Sequence, residues 1–223
     1  MPQILITNLV VEPGPVDIET NFFPQWHATG EASVLRSVAP EQAAVESAFR
    51  GQGLAALEAI ADSTPVYRRY VGLQKVAPVA DLVRQQLEAD SKMKIVLFAW
   101  HKAVIEGLRQ ALTDFGAVTL YGGTPAVKRQ KNIDAFNNLA RTRVFIGNIL
   151  AAGTAIPLTG AHHGLIVEPS WVPGENAQAA MRMDGPLQTE QITVQMVGVA
   201  GTIDEDIQRA NAVKIRMQVE LFS

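Results

Sequence analysis

The stretch AAGTAIPLTGAHHGLIVEPSWVPGENAQAAMRMDGPLQ, residues 151–188, decides how this chain is read. Its Gly-rich start reads as a turn, GLIVE as a short apolar strand, and Pro173-Gly174 as a break before a helix. On that helix Gln178 and Arg182 stand four residues apart and share a face. An amide and a guanidinium so placed suit phosphate, because the guanidinium's fixed fork of donors matches phosphate oxygens. In open α/β sheets ligands sit outside the carboxyl ends of the strands.

Working outward, strands and helices alternate from Lys94 onward, the pattern of a parallel sheet with crossover helices. KIVLFAW (94–100) is a central strand. Lys102 to Asp114 is a helix with Val104, Ile105, Leu108 and Leu112 on its apolar stripe, stopped near Gly116. AVTLY (117–121) is the next strand, and Gly122-Gly123-Thr124-Pro125 turns into a helix that ends near Asn138, with Thr124 as its cap and Pro125 at its first position. RVFIG, LIVEP and ITVQMVGV supply three further strands. The last helix opens on a capping box of Thr202 and Glu205, with Asp204 and Asp206 in its first turn.

Toward the other end, ILITNLVV (4–11) is a buried strand closed by Glu12-Pro13-Gly14-Pro15. Residues up to about Gly30 read as irregular. Short helices follow over Gln42 to Phe49 and Leu54 to Asp62, and a third segment runs on through VADLVRQQLEAD with a restart near Ala77, ahead of Pro78. If the strand at Ile4 joins the same sheet, residues 12–90 form an irregular and helical insertion-like segment within one domain spanning 1–223.

Composition excludes several classes. The 223 residues are 48% hydrophobic and 18% charged, as in ordinary globular proteins. The net charge of -3 gives no global basic field, so nucleic acid would have to bind through local patches. With no cysteine there are no disulfides, thiolate metal sites or thiol nucleophile, and a cytoplasmic location is expected. No run approaches the roughly 20 apolar residues of a membrane span, and no signal peptide is expected at the N-terminus.

The quoted stretch resembles motifs V and VI of the Swi/Snf-type branch of superfamily two helicases: GTAIPLTGA (153–161), EPSWVPG (168–174) and QAAMRMDGPLQ (178–188). KIVLFAWHKAVIEGLRQAL is similar to that family's motif IV. LYGGTPAVKRQKNIDAF resembles its Gly-x-Thr turn and following helix, with Arg129 and Phe136, and VGVAGTIDEDIQR its closing strand and helix. With Gly72 and Lys75 the resemblance covers roughly Val71 to Met217. It implies an α/β fold, a RecA-like (P-loop NTPase-type) parallel sheet flanked by helices, preceded by an N-terminal helical excursion.

The resemblance further implies ATP contacts from Gly153, Gln178 and Arg182, with Arg182 as the catalytic candidate. DNA-backbone contacts would come from His101, Gly123, Thr124, Lys128, Arg129 and Thr154, with Lys131 nearby. Two positions depart from the family: Met181 stands where an aspartate is usual, and Gly185 where a second arginine stabilises charge across the cleft, a role worth roughly 10³ to 10⁵ in rate. The G-x-x-x-x-G-K-[ST] loop that wraps β/γ-phosphates is absent from these residues. Hence the expectation of half a site: a C-terminal motor lobe of a DNA-dependent ATPase whose phosphate loop, and the magnesium that travels with ATP, belong to an N-terminal RecA-like lobe. Isolated, it should be inactive.

Other readings compete. Lys128, Arg129 and Lys131 would also suit a solvated helix face. His162-His163 invites a metal, but neighbours at a strand start point to opposite faces and no third ligand has recognisable spacing. Trp171 packs under the motif VI helix in preference to stacking on a base. Glu168 suits either an acid or a positioning contact. VEPSWVPGENAQAAMRMDGPL also has the flavour of the sugar-nucleotide domain of two-domain glycosyltransferases, with Glu175 on a ribose, and a non-catalytic interaction module is a third possibility.

Overall fold

The structure, a computed structural model, describes residues 4–15, 64–150, 156–186 and 188–222. The irregular stretch up to Gly30, the two short helices expected between Gln42 and Asp62, and the proposed contacts Gly153 and Thr154 lie outside these residues.

Six strands pair into one sheet: β1 (Ile4–Val11), β2 (Ile95–Ala99), β3 (Val118–Leu120), β4 (Val144–Asn148), β5 (His163–Ile166) and β6 (Ile192–Val199). Their order is β1-β6-β5-β2-β4-β3, and every pair is parallel. β1 does join the sheet, with Ile4 opposite Ile192 along an edge. The helices are α1 (Thr64–Gln74), α2 (Val76–Ala89), α3 (Lys102–Ala111), α4 (Ala126–Asn138), α5 (Pro173–Met181) and α6 (Ile203–Phe222).

The two-residue period of β2 sorts the core. Ile95, Leu97 and Ala99 face α2 and α3, while Val96 and Phe98 face Ile133 and Phe136 of α4 and Ala179 and Ala180 of α5. Both faces are covered, so β2 is buried throughout and reads as a continuous apolar run. Because the chain leaves β2 toward one face and its neighbour β5 toward the other, the crevice between their carboxyl ends is the topological switch point.

Several local expectations need correction. The helical segment before β2 breaks at Lys75 and restarts at Val76, next to the expected Ala77, but Pro78 is not what breaks it: it sits in the first turn of α2, where its missing N–H removes no helical bond. α3 is regular only to Ala111; a 3₁₀ turn, Thr113–Phe115, then leads to Gly116 at φ 65. A Cβ there would lie 2.2 Å from the Arg141 carbonyl oxygen, so both the backbone angle and the space require glycine. The final helix is capped much as expected: Asp204 N donates to Thr202 Oγ1 (3.3 Å), but the Glu205 carboxylate takes Gly201 N (2.9 Å) instead of the Thr202 amide.

The break at Lys75 has a cause. Its ammonium is 1% exposed and lies 2.9 Å from the Asp204 carboxylate, which also accepts Val199 N at 3.1 Å. This pair pins the α1–α2 junction to the start of α6. Removing one member of a buried pair strands the other, so Asp204→Ala should destabilise the chain by roughly 3–5 kcal/mol in chemical denaturation. Pairing Lys75→Met with Asp204→Leu should recover most of that loss.

Candidate functional site

At the switch point stands Glu168, two residues beyond β5 and 3% exposed. One carboxylate oxygen accepts the amides of Trp100 and His101, each at 2.8 Å, and the other meets His101 Nδ1 at 2.6 Å. The chain just past β2 is thus bound to the chain just past β5. Burial pushes the Glu168 carboxyl up, but the His101 ring, its hydrogen bonds and the Lys75 ammonium together hold it below the usual carboxylate range. Of the two roles left open for Glu168, the geometry is that of a positioning group.

Two further residues complete this node. Arg68 donates to the Pro169 carbonyl (3.1 Å) and lies 5.3 Å over the Trp100 ring, so α1 also spans both strand exits. Burial lowers the Arg68 guanidinium, against the opposing pull of Glu168 and Asp204. Gly72 allows the close approach: a Cβ there would stand 2.4 Å from Glu168 Oε1. Sequence reasoning missed Arg68, whose sole signal was a helical basic pair.

Because the sheet is parallel, the exits of β2, β3 and β4 line one edge. Asn148 Nδ2 donates to the Trp100 carbonyl, joining the β4 exit to the node. At the β3 exit Gly123 is exposed at φ 88, with open space where a Cβ would stand. Thr124 does not cap α4. Its hydroxyl accepts the Tyr121 amide at 3.2 Å, and Pro125 occupies the cap position, its carbonyl accepting the first helical bond from Arg129 N. Lys128 and Lys131 are exposed on α4; Arg129 is half-buried, and its Nε has no partner among the described residues.

α5 ends at Met181, before Pro186 is reached, because Arg182, Met183 and Asp184 turn through i→i+3 bonds. Gln178 is exposed. Arg182 is half-buried with its guanidinium 5.7 Å over the Phe98 ring, and burial lowers it to about 10. The expected pair therefore does not present itself to one open space: one member faces solvent and the other packs on β2. At Gly185 a Cβ would meet Thr159 Cγ2 at 2.7 Å, in a turn also held by Leu158 N to the Arg182 carbonyl (2.7 Å) and by Gln188 Nε2 to Ala161 O (3.0 Å).

The SWVPGEN run is structural. Ser170 and Asn176 exchange two bonds, Ser170 N to Asn176 Oδ1 and Asn176 Nδ2 to Ser170 O; Asn211 donates to the same Ser170 carbonyl, tying α5 to α6. The Ser170 hydroxyl donates to the Glu175 carboxylate, which occupies the group the sugar-nucleotide reading needed. Trp171 packs beside Val71, Val199, Ile203 and Ile207 on the α6 side, not under α5, and Lys214 holds its carbonyl at 2.8 Å.

The His162 and His163 rings lie 4.3 Å apart, not on opposite faces, since His162 precedes β5 and escapes strand alternation. Among the described residues no group of three His, Cys, Asp or Glu could hold a metal ion, and no helix is long and apolar enough to cross a membrane. A separate cavity of about 370 Å³ lies between β1, α5 and α6, lined by Ile6, Asn8, Asn176 and Gln208 among others.

Known proteins resemble this chain in sequence and fold. Residues 74–184 match the helicase conserved C-terminal domain. DNA repair protein RAD5A of Arabidopsis thaliana is 30% identical over 129 residues, 57% of this chain and 12% of that protein. The Bos taurus DNA annealing helicase and endonuclease ZRANB3 is 27% identical over 138 residues, 61% of this chain and 13% of that protein. The matched stretch thus spans about an eighth of each of these relatives. Among solved structures, the C-terminal part of the Fun30 ATPase domain aligns with 62% of this chain and 45% of its own, at 26% identity and a TM-score of 0.57. The Sulfolobus solfataricus SWI2/SNF2 ATPase C-terminal domain aligns with 95% of this chain and 86% of its own, with a TM-score of 0.61; at 16% identity it speaks to the fold, a RecA-like lobe.

The Gly185 turn yields a direct test. Gly185→Ala forces a methyl against Thr159 and should cost roughly 1–3 kcal/mol in urea denaturation, with much of it returned by Thr159→Ser, which removes the opposing methyl. Gly185→Arg carries the same clash.

Proposed function

We propose that this chain, whose residues 74–184 match the helicase conserved C-terminal domain, is the C-terminal lobe of a Swi/Snf-type, DNA-dependent ATPase that moves along DNA. The whole of residues 1–223 then forms one domain, with 12–90 inserted between its first two strands. ATP binds in the cleft between this lobe and an N-terminal RecA-like lobe, in the same or a separate chain, and supplies the free energy of phosphoryl transfer. This wall of the cleft contributes Gly153, Gln178 and Arg182. Arg182, already partly desolvated on Phe98, would hold a phosphate oxygen after swinging away from that ring. Magnesium is held by the other lobe.

DNA lies along the carboxyl edge, against His101, Gly123, Thr124, Lys128, Arg129 and Thr154. The observation that carries this reading is the shared edge itself: parallel pairing brings the β2, β3 and β4 exits into one row, with the exposed Gly123 amide and the α4 lysines beside it. Such contacts go to phosphate and sugar and read no sequence. A specific observation also supports a second reading, a lobe that binds without supporting turnover: glycine stands at position 185, and a Cβ there would crowd the Thr159 methyl at 2.7 Å.

The chain alone should show no DNA-stimulated ATP hydrolysis, and turnover by the pure protein would overturn the half-site proposal. Fluorescence anisotropy with a labelled duplex at low salt should show binding that weakens steeply as salt rises. Lys128→Ala should reduce the log-log salt slope by about 0.9. Absence of any duplex binding would refute the edge as a DNA surface.

A further inference from the structure

Desolvating a carboxylate costs several kcal/mol, so a buried one persists only when donors surround it. Glu168 has three: the Trp100 and His101 amides and the His101 ring. Joining the two strand exits needs only the amides. The ring contact adds something further, because an ionised carboxylate accepts and never donates. His101 Nδ1 therefore carries the hydrogen of the 2.6 Å contact, and Nε2 is the only polar atom the ring has left. Nε2 has no partner among the described residues, and the side chain is 12% exposed.

A neutral ring held this way turns a lone pair outward at Nε2, which repels a phosphate oxygen. With both nitrogens protonated the ring donates at each: Nδ1 to Glu168 and Nε2 to the phosphate. We propose that Glu168 is a positioning residue that fixes the His101 ring with Nδ1–H inward, so that a DNA phosphate is held only by the imidazolium and DNA binding takes up a proton. The inference rests on the DNA reading of His101. Of the charged groups of this node, Glu168 beyond β5 meets the ring itself; Arg68 on α1 and Lys75 at the α1–α2 junction interact with Glu168, Asp204 on α6 pairs with Lys75, and Lys102 follows His101 at the start of α3 with its ammonium 5.2 Å over Tyr121.

Two measurements test it. Nitrogen-15 NMR of the imidazoles in the free chain should show neutral His101 as the Nδ1–H tautomer; the Nε2–H tautomer would overturn the proposal whether or not DNA binds. Anisotropy against pH on a duplex should show affinity falling by up to about tenfold per pH unit as the ring loses its proton. In His101→Gln that part of the pH dependence should vanish, which separates it from any contribution of His162 or His163. Glu168→Gln, whose amide can donate to Nδ1 and leave Nε2–H outward on a neutral ring, should bind with a flattened pH profile, its fold checked by thermal melting. If His101→Gln weakens binding while the intact chain shows no pH dependence, the positioning role fails and the DNA surface stands. If no duplex binds at any pH, the DNA reading fails and takes this inference with it.

Discussion

One buried carboxylate sets the geometry of this lobe. Where β2 and β5 part toward opposite faces of the sheet, a crevice opens that in many α/β proteins receives a ligand. Here the Glu168 side chain stands at it and accepts the two amides with which the chain leaves β2. A lone charge in that position would be several kcal/mol uphill. The amides, the His101 ring, and the Lys75 and Arg68 cations offset that penalty, and glycine at position 72 lets α1 come close enough to share in it. Removing any of these donors leaves the rest facing an uncompensated acid, so the node acts as a unit.

The node ties the two proposed functional surfaces together. β2 leads to His101 and the carboxyl edge, whereas β5 leads through Ser170 and Asn176 into α5, which ends just before Arg182. Glu168 is bonded to the first path and belongs covalently to the second. The Lys75–Asp204 pair links the same helices to α6 from the other side. By contrast the turn after α5 closes around a glycine: a Cβ at position 185 would meet the Thr159 methyl, while the Leu158 amide and the Gln188 side chain tie the same turn to neighbouring carbonyls.

Much of this was readable from residue order. The alternation of apolar runs with amphipathic segments identified the parallel sheet, because strands buried on both faces admit few polar residues. The β-branched run at Ile4 announced a strand that joins the sheet, though as an edge strand whose residues are half-buried or exposed and not buried. What escaped sequence reasoning depended on distances between remote residues. The helix break near Ala77 was legible, but not that Lys75 within it has a buried partner 129 residues away, nor that Pro78 fits in a first turn. Thr124 was read as a cap, yet its hydroxyl satisfies the Tyr121 amide. Gln178 and Arg182 do fall four apart, but the helix relaxes into a tighter turn after Met181, and a partly buried guanidinium settled on Phe98. Glu168 could be seen as either an acid or a positioning group, and only its donors decide which.

Hydrogen exchange at single amides tests this account most directly. If the Glu168 carboxylate holds the β2 exit, the Trp100 and His101 amides exchange only when the node opens. They should then be protected nearly as well as the β2 strand and far better than the exposed Gly123 amide at the β3 exit. Exchange of Trp100 and His101 as fast as that of Gly123, in a chain whose β2 amides remain protected, would contradict it.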